Sequence, residues 1–263
     1  MNANESTPFE RVLLARRRDR PRARDYISEL FTDFFETRGD RLYGDDGAVL
    51  CGVALFDGLP VTVAGNVKGV DLESNLASNF GMASPEGYRK FLRAARQAEK
   101  FGRPVVTFID TPGAYPGSGA EERGQGEAIA RCLFELSALK TPVAAVLTGE
   151  GGSGGALALG LADAVIMFEN AVYSVLSPEG FASILWKDAS RAAEAAAVMK
   201  LTASDLLGFG MADAIVREPP GGTANKAAMA RALRPVLRRS LEELRAIDAG
   251  ELARRRRERY RKF

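Results

Sequence analysis

A run of apolar and β-branched residues over 142–148 ends in a loop that is dense in glycine. We call residues 149–155 the glycine corner, because five of these seven positions are glycine: Gly149, Gly151, Gly152, Gly154 and Gly155. Without Cβ atoms, such a corner lets a ligand approach the backbone closely. A helix that starts at Ser153 or Gly154 leaves unpaired N–H groups at its N-terminus, and these attract negative charge. The corner is therefore predicted to bind a phosphate or the oxyanion of a reacting carbonyl.

Three interpretations of the glycine corner remain open from its spacing alone. Gly149-x-Gly151-x-x-Gly154 fits a dinucleotide-binding fingerprint, with Glu169 about 20 residues further on. Against it, the following segment allows only a short helix to about Leu161, and the strand before Glu169 runs into another strand. A P-loop is disfavoured because no Gly-Lys-Ser/Thr closes the motif. The other two interpretations are an oxyanion site and close packing of other backbone against the glycines.

A second corner follows the predicted strand 104–109. We call residues 110–117 the proline corner, and it reads Asp110-Thr111-Pro112-Gly113-Ala114-Tyr115-Pro116-Gly117. Its strand is expected to neighbour the strand over 142–148. Two such corners can direct N–H donors at one developing oxyanion from two sides, as stabilisation of an enolate or ureido anion requires. The pair of corners therefore favours an oxyanion site over a nucleotide site.

The chain of 263 residues contains no histidine. This excludes a Ser-His-Asp triad, a Cys-His pair and zinc sites that use histidine ligands. Catalysis then depends on backbone dipoles, carboxylates, lysine, tyrosine or a base that the substrate or cofactor supplies. Cys51 and Cys132 give neither a disulfide framework nor metal-ligand spacing, and both are predicted to be buried. We therefore expect no metal in this chain.

Composition and charge indicate a cytoplasmic protein without membrane contact. Charged residues make up 27% and apolar residues 46% of the chain, which is ordinary for a globular protein. No apolar stretch reaches the roughly 18–20 residues that cross a bilayer, and the N-terminal residues lack the apolar stretch of a secretory signal. Basic residues gather at 16–24 and 254–262, and mixed acidic residues there favour solvated helix ends over a nucleic-acid-binding arm.

The order of elements predicts an α/β architecture, since strands lead through glycine-rich corners into helices. We divide the chain into an N-terminal helical extension at 1–40, a core at 41–218 and a C-terminal helical extension with a basic tail at 219–263. The first predicted elements are a helix over 24–37, a hairpin of strands 48–56 and 60–67 around Asp57-Gly58, a loop over 68–83 and a helix starting at Pro85. Then follow strand 104–109, a helix over 120–138, strand 142–148 and a short helix to about Leu161. The last elements are strands 164–168 and 172–176, helices within 178–208, strand 213–216 and one long C-terminal helix.

Longer motifs surround the two corners. They are Asn79-Phe80-Gly81-Met82, Pro85-Glu86-Gly87-Tyr88-Arg89-Lys90, Gly119-Ala120-Glu121-Glu122-Arg123-Gly124-Gln125, Tyr173-Ser174-Val175, Ser177-Pro178-Glu179-Gly180 and Ser183-Ile184-Leu185-Trp186-Lys187. Together with the corners, these motifs resemble the alpha-subunit family of bacterial acetyl-CoA carboxylase carboxyltransferases. The resemblance spans nearly the whole chain, and motifs of this length are specific.

The resemblance implies a crotonase-like (ClpP/crotonase) spiral of ββα units with helical N- and C-terminal extensions. It implies transfer of carboxylate from carboxybiotin, held on a carrier protein, to acetyl-CoA, which gives malonyl-CoA for fatty acid synthesis. The decarboxylated biotin ureido group is then the base, which suits a chain without histidine. The implied partners are a zinc-bearing beta subunit in an alpha2-beta2 heterotetramer, the biotin carboxyl carrier protein and biotin carboxylase. Activity is expected only with the beta subunit.

The resemblance also implies roles for single residues. Gly154 and Gly155 are expected to give backbone N–H groups to an oxyanion, the biotin ureido oxygen, while Gly113 and Ala114 shape the facing wall. The expected substrate- and biotin-binding residues are Gly151, Gly152, Ser153, Tyr115, Pro116, Gly117 and Lys68. We expect Lys68 to contribute to acyl-CoA affinity.

The chain departs from the family pattern at three places. The usual Gly-His-Gln-Lys-Gly-Arg/Lys becomes Gly-Asn-Val-Lys-Gly-Val over 65–70, Ser78 stands where Arg is frequent, and residues 219–224 replace Pro-Leu-Gly-Gly-Ala-His. These changes leave two alternatives, a divergent paralogue that acts on another acyl-CoA and a non-catalytic scaffold. A self-contained crotonase-type hydratase or isomerase is a third, with Glu150 or Glu121 as its acid/base residue.

Overall fold

One mixed β-sheet forms the centre of the protein in the computed structural model, which describes residues 6–219 and 224–263. The strand order is β1-β2-β3-β4-β5-β6-β8, and β7 pairs with the end of β5. The β1–β2 and β2–β3 pairs are antiparallel, and the other pairs are parallel. The strands are β1 (Phe31–Glu36), β2 (Val49–Phe56), β3 (Leu59–Asn66), β4 (Val105–Thr111), β5 (Val143–Gly152), β6 (Ala164–Phe168), β7 (Val172–Ser174) and β8 (Ala214–Val216).

Helices cover the sheet and join its strands. The helices are α1 (Pro8–Ala15), α2 (Ala23–Leu30), α3 (Leu72–Ala77), α4 (Pro85–Lys100), α5 (Ser118–Glu122), α6 (Gln125–Ala138), α7 (Ser153–Gly160), α8 (Pro178–Trp186), α9 (Ala192–Met199), α10 (Ala203–Gly208), α11 (Lys226–Arg245) and α12 (Ala249–Tyr260). Helix α4 packs on β2 and β3 and against α6, whereas α2 packs on β3 and β4 and against α11. The Tyr26 ring of α2 stacks on Phe108 of β4 with ring centroids 5.4 Å apart. The sheet is thus anchored to helices from distant parts of the sequence.

The β2–β3 hairpin and the start of α4 confirm two local predictions. Asp57 and Gly58 have φ values of +50° and +82°, as the type I′ turn of a tight hairpin requires. The strands pair in register from Val49–Asn66 to Phe56–Leu59. Helix α4 begins at Pro85, and its predicted apolar stripe is buried: Tyr88, Phe91, Leu92, Ala95 and Ala98. Turn and cap signals of this kind act over a few residues, so they are readable from sequence.

The predicted helix over 24–37 is wrong in its second half. Helix α2 ends at Leu30, and β1 follows as an edge strand that pairs Phe31 with Phe56 of β2. A bulge at Asp33, where φ is +53°, interrupts the register of β1. The apolar spacing that suggested a helix therefore belongs to a strand, since pairing with β2 overrides local propensity.

Three other segments differ from their predicted extent. The loop over 68–83 contains α3 and a 3₁₀ turn at Asn79–Gly81. The helix over 120–138 divides at Gly124, whose φ of +82° separates α5 from α6. The long C-terminal helix is two helices, and the Asp248 side chain caps the second by accepting N–H bonds from Gly250 and Glu251. The last two differences arise at a left-handed residue or a cap that interrupts a continuous apolar pattern, whereas α3 starts in a polar segment at the Asp71 N-cap.

The basic C-terminal segment is only partly a solvated helix end. Arg254 and Arg255 are exposed, as expected, but the Arg256 side chain is fully buried. Residues of both predicted extensions, among them Tyr26 and Leu233, join the same buried cluster as the sheet. The division at 1–40, 41–218 and 219–263 stays a proposal, and residues 1–5 and 220–223 lie outside the described residues. In the described part of the chain, no helix is long and apolar enough to cross a membrane.

Candidate functional site

The two corners meet at the carboxyl edge of the sheet. Strands β4 and β5 are parallel neighbours, so both hand over to their corners at the same edge. Their register is regular to the Ile109–Leu147 pair, but the next pair is Thr111–Gly151. Residues 148–150 of β5 therefore lie opposite Asp110 alone. This β-bulge bends β5 and brings the glycine corner against the proline corner.

Close contact between the two backbones explains several of the glycines. A Cβ atom on Gly152 would lie 2.1 Å from the Pro112 carbonyl oxygen. A Cβ atom on Gly155 would lie 2.4 Å from the carbonyl carbon of Gly113 and 2.5 Å from the Ala114 nitrogen. Both distances are far below van der Waals contact, so no side chain fits at either position. Close backbone packing, one of the three interpretations, therefore accounts for these two glycines.

Gly154 is different, because packing does not require a glycine there. A Cβ atom on Gly154 would meet only Ile129, at an ordinary 3.5 Å. Gly154 and Gly155 lie in the first turn of α7, and among the described residues their N–H groups have no hydrogen-bond partner. In the proline corner the Gly113 N–H donates to Thr111 Oγ1 at 3.1 Å, so it is already used. The donors left to a ligand are thus those of α7 and the Ala114 N–H, which also has no hydrogen-bond partner among the described residues.

A cavity of about 500 Å³ opens beside this first turn. Ser153 and Gly154 are among the residues that line the cavity. Ser153 is exposed and has a left-handed backbone with φ of +54°. The walls are mainly apolar and come from β7, α7 to α10 and the adjoining loops: Leu157, Tyr173, Val175, Leu176, Phe181, Met199, Leu206, Phe209 and Met211. Burial raises the pKa of the Tyr173 hydroxyl, so this group stays protonated at neutral pH.

The other predicted binding residues lie around the corners rather than in this cavity. A Cβ atom on Gly151 would contact Leu147 at 2.6 Å, so Gly151 is a packing position. Tyr115, Pro116 and Gly117 are the last three residues of the proline corner and lead directly into α5. The Tyr115 N–H donates to the Ala83 carbonyl at 3.0 Å, which fixes the backbone of this connection. The structure therefore brings Ser153 and Gly154 to the cavity and leaves the three connecting residues outside its lining.

A chain of partly buried ion pairs includes residues of both corners, and no pattern in the sequence indicates it. Lys68 Nζ is 2.6 Å from Asp110 Oδ1 and 3.4 Å from Glu150 Oε2. Arg16 Nε is 2.7 Å from Glu150 Oε1, and Arg16 also pairs with Glu179 at 2.7 Å. Burial alone lowers the pKa of Lys68, but the two carboxylates raise it above its ordinary value. Lys68 therefore stays a cation at neutral pH. Arg16 and Glu150 are 134 positions apart, so no spacing in the sequence indicates their contact.

The geometry weighs against two of the alternatives. The Glu169 carboxylate accepts the N–H of Glu218 at 2.8 Å, so it is not positioned to bind a ribose. The Glu150 carboxylate is held by Arg16 and Lys68, so it lacks the freedom of a general acid/base residue.

Cys51 and Cys132 are buried, as predicted. Within 6–219 and 224–263, no group of three His, Cys, Asp or Glu residues could hold a metal ion.

Comparison with known sequences shows which family the chain resembles. The model of the family described as "Acetyl co-enzyme A carboxylase carboxyltransferase-like" matches residues 3–263. The acetyl-coenzyme A carboxylase carboxyl transferase subunit alpha of Carboxydothermus hydrogenoformans is 56% identical over 256 residues, which cover 97% of this chain and 79% of the relative. The protein of the same name from Clostridium botulinum is 54% identical over 259 residues, which cover 98% of this chain and 94% of the relative.

Solved structures share the fold at much lower identity. Transcarboxylase 12S with bound methylmalonyl-coenzyme A and methylmalonic acid superposes with a TM-score of 0.68 at 21% identity, covering 86% of this chain and 42% of that one. A Pseudomonas malonate decarboxylase hetero-tetramer in complex with coenzyme A gives a TM-score of 0.67 at 18% identity, covering 84% and 90%. These likenesses confirm the predicted crotonase-like fold. The sequence matches show that the chain belongs to the alpha-subunit family of acetyl-coenzyme A carboxylase carboxyl transferases.

Proposed function

We propose that the protein transfers carboxylate from carboxybiotin to acetyl-CoA and so forms malonyl-CoA for fatty acid synthesis. Family membership supports the reaction. Relatives that carry the name of this enzyme are 54–56% identical to the chain over 97–98% of its length. The observation that carries the proposal is the first turn of α7. Its Gly154 and Gly155 N–H groups lack a partner among the described residues, and its residues Ser153 and Gly154 line an apolar cavity.

The chain's own part in this reaction is to stabilise negative charge and to exclude water. N–H donors at a helix N-terminus hold an oxyanion by hydrogen bonds and by the helix dipole, and both strengthen where water is absent. Apolar walls such as Leu157 and Phe181 provide that dry surrounding. When bound, the decarboxylated biotin ureido group supplies the base that takes the methyl proton. The residues present fit this division of work, because the chain has no histidine and the Lys68 ammonium is paired.

The partners follow from the role of a subunit. The relatives are named as one subunit of a carboxyl transferase, so the protein works in a complex with other subunits. We propose that the complex is an alpha2-beta2 heterotetramer in the cytoplasm, and that the beta subunit carries the zinc and completes the acyl-CoA site. The biotin carboxyl carrier protein would then present carboxybiotin, which biotin carboxylase forms. Gly113 and Ala114 are proposed to form the wall opposite the α7 donors.

The experiment that tests this function is isolation of the tagged chain from its own cells. The material is assayed for malonyl-CoA-dependent carboxylation of a biotin derivative, and its zinc content is measured. We expect activity together with a zinc-bearing second subunit, and no activity from the chain alone. Recovery of that subunit without turnover would favour the non-catalytic scaffold. Hydration of crotonyl-CoA by the chain alone would favour the single-chain crotonase.

A divergent paralogue that acts on another acyl-CoA is the second candidate, and the departures from the family pattern favour it. Asn66 is buried and donates to the Gly81 carbonyl at 3.3 Å, and Ser78 donates to the Ser74 carbonyl at 2.9 Å. The Asn66 Oδ1 has no hydrogen-bond partner among the described residues, and neither Asn66 nor Ser78 offers a cation to a ligand. Rates with acetyl-CoA and longer acyl-CoA substrates separate the candidates, because a paralogue would prefer a substrate other than acetyl-CoA.

A further inference from the structure

The β-bulge in β5 is occupied by one carboxylate. Asp110 is the single residue of β4 opposite residues 148–150, and its side chain is only 9% exposed. Asp110 Oδ1 accepts the Glu150 N–H at 3.0 Å. A Cβ atom on Gly149 would lie 2.5 Å from the same oxygen, so the carboxylate lies directly against the Gly149 backbone. The carboxylate thus takes the hydrogen bond and the space that a strand carbonyl would take in a regular ladder.

The surrounding charges hold this carboxylate in place. The Lys68 ammonium bridges Asp110 and Glu150, and Arg16 of the segment after α1 pairs with the other oxygen of Glu150. A buried carboxylate without a cation is strongly unfavourable, so removal of one partner disturbs the others. The chain Arg16–Glu150–Lys68–Asp110 therefore fixes the side chains on both sides of the bulge. None of these four side chains is among the residues that line the 500 Å³ cavity.

The bulge determines where the glycine corner points. Beyond it, β5 resumes pairing at Thr111–Gly151, and α7 starts two residues later at Ser153. The N–H groups of Gly154 and Gly155 are thus only a few bonds from the point where Asp110 bends the strand. A displacement of about 1 Å at a catalytic group is enough to lower a rate about 100-fold. The carboxylate is therefore placed to control the donors without touching a ligand.

We propose that Asp110 is a positioning residue of the carboxyl transfer reaction, and that Lys68 acts on this reaction through Asp110 and Glu150 instead of by contact with acyl-CoA. The inference rests on the proposed function. It changes the role that the sequence suggests for Lys68, which was expected to contribute to acyl-CoA affinity. The two roles differ in kinetics, because a misplaced oxyanion donor lowers kcat, whereas a lost substrate contact raises KM.

The first test compares Asp110→Ala with Asp110→Asn in the assembled complex. The alanine variant is expected to lower kcat about 100-fold while KM for malonyl-CoA stays within about threefold. The asparagine variant retains an oxygen that accepts the Glu150 N–H, so we expect it to recover at least about tenfold of the lost kcat. Asp57→Asn in the β2–β3 turn is the matched control. Asp57 precedes β3, whereas Lys68 follows it, so this variant removes a carboxylate far from the corners and should leave kcat unchanged. Equal losses in both Asp110 variants, or a rise in KM as the main effect, would overturn the inference.

The second test removes the charges singly and together. Lys68→Met leaves the carboxylates of Asp110 and Glu150 without their shared cation, and we expect a lower kcat with little change in KM. Adding Asp110→Asn removes one of these two charges, so the double variant should be at least about fivefold faster than Lys68→Met alone. A double variant slower than Lys68→Met, or a tenfold rise in KM in Lys68→Met, would show that Lys68 contacts the substrate.

A readout other than activity separates this inference from the proposed function. Amide hydrogen exchange over residues 148–156 should become faster in Asp110→Ala and should return towards the unmodified rate in Asp110→Asn. If the unmodified complex lacks carboxyl transfer, the proposed function fails, and hydrogen exchange still decides whether Asp110 orders the glycine corner. Unchanged exchange in Asp110→Ala would overturn the inference even in an active enzyme.

Discussion

A Gly155→Val substitution is expected to lower carboxyl transfer by more than about 100-fold while the complex still assembles. The valine Cβ would lie 2.4 Å from the Gly113 carbonyl carbon, so the two corners must move apart. Valine keeps its N–H group. The loss therefore comes from displacement of the donors and not from removal of one.

Two measurements check this result. Malonyl-CoA-dependent carboxylation of a biotin derivative gives the rate, and the mass of the complex in solution shows whether it assembles. Gly126→Val is the matched control, because a Cβ atom on Gly126 in α6 has no neighbour within 4 Å. This control should keep its activity within about threefold, as expected for an exposed helix position. Full activity in Gly155→Val would refute the assignment of the glycine corner as the oxyanion site.

The largest expected effect on stability comes from Arg256→Met. Arg256 Nε and Nη2 bond to Asp163 at 2.8 and 2.5 Å, and the guanidinium also donates to the carbonyl groups of Leu136, Leu139 and Thr141. Leu136 lies in the last turn of α6, and its carbonyl accepts both the N–H of the C-cap residue Leu139 and a bond from Arg256 Nη1. Methionine fills similar space but leaves the Asp163 carboxylate buried without its cation. We expect the free energy of unfolding to fall by about 3–5 kcal/mol.

Urea unfolding followed by a spectroscopic signal measures this change. Arg255→Met is the control on the same helix, because Arg255 is exposed and Glu251 is its single ion-pair partner within 6–219 and 224–263. An exposed ion pair of this kind contributes about 0–1 kcal/mol, so the control should unfold close to the unmodified protein. A loss below about 1 kcal/mol in Arg256→Met would contradict the role of this side chain in fastening α12 to the core.

Features encoded over a few residues could be predicted from the sequence. Asp57-Gly58 specifies a tight turn, and Pro85 at a first helical position marks the start of α4. The sequence places the glycine and proline corners next to β5 and β4 but ends both strands too early, because β5 continues to Gly152 and β4 to Thr111. Family resemblance then supplied the fold and the reaction, and the sequence and structure comparisons agree with both.

Features that depend on pairing between distant segments could not be predicted. Residues 31–36 carry apolar spacing that suits a helix, and only their pairing with β2 makes them a strand. The sequence left three interpretations of the glycine corner open, because the parallel register of β4 and β5 decides which backbone lies beside Gly155. The ion pairs of Arg16, Lys68 and Asp110 have the same origin. They join α1, β3 and β4 through side chains that no local pattern connects.

The mutual contact of the two corners has an evolutionary consequence. Since the backbone at Gly152 and Gly155 fills the space beside Pro112 and Gly113, neither of these two glycines can gain a side chain unless the proline corner moves. We therefore expect the two segments to change together, although α5, α6 and the first part of β5 separate them in sequence. A substitution that adds a side chain to one corner requires the backbone of the other corner to move. Each substitution made alone would therefore distort the site. Single substitutions at Gly152 or Gly155 are therefore expected to be selected against.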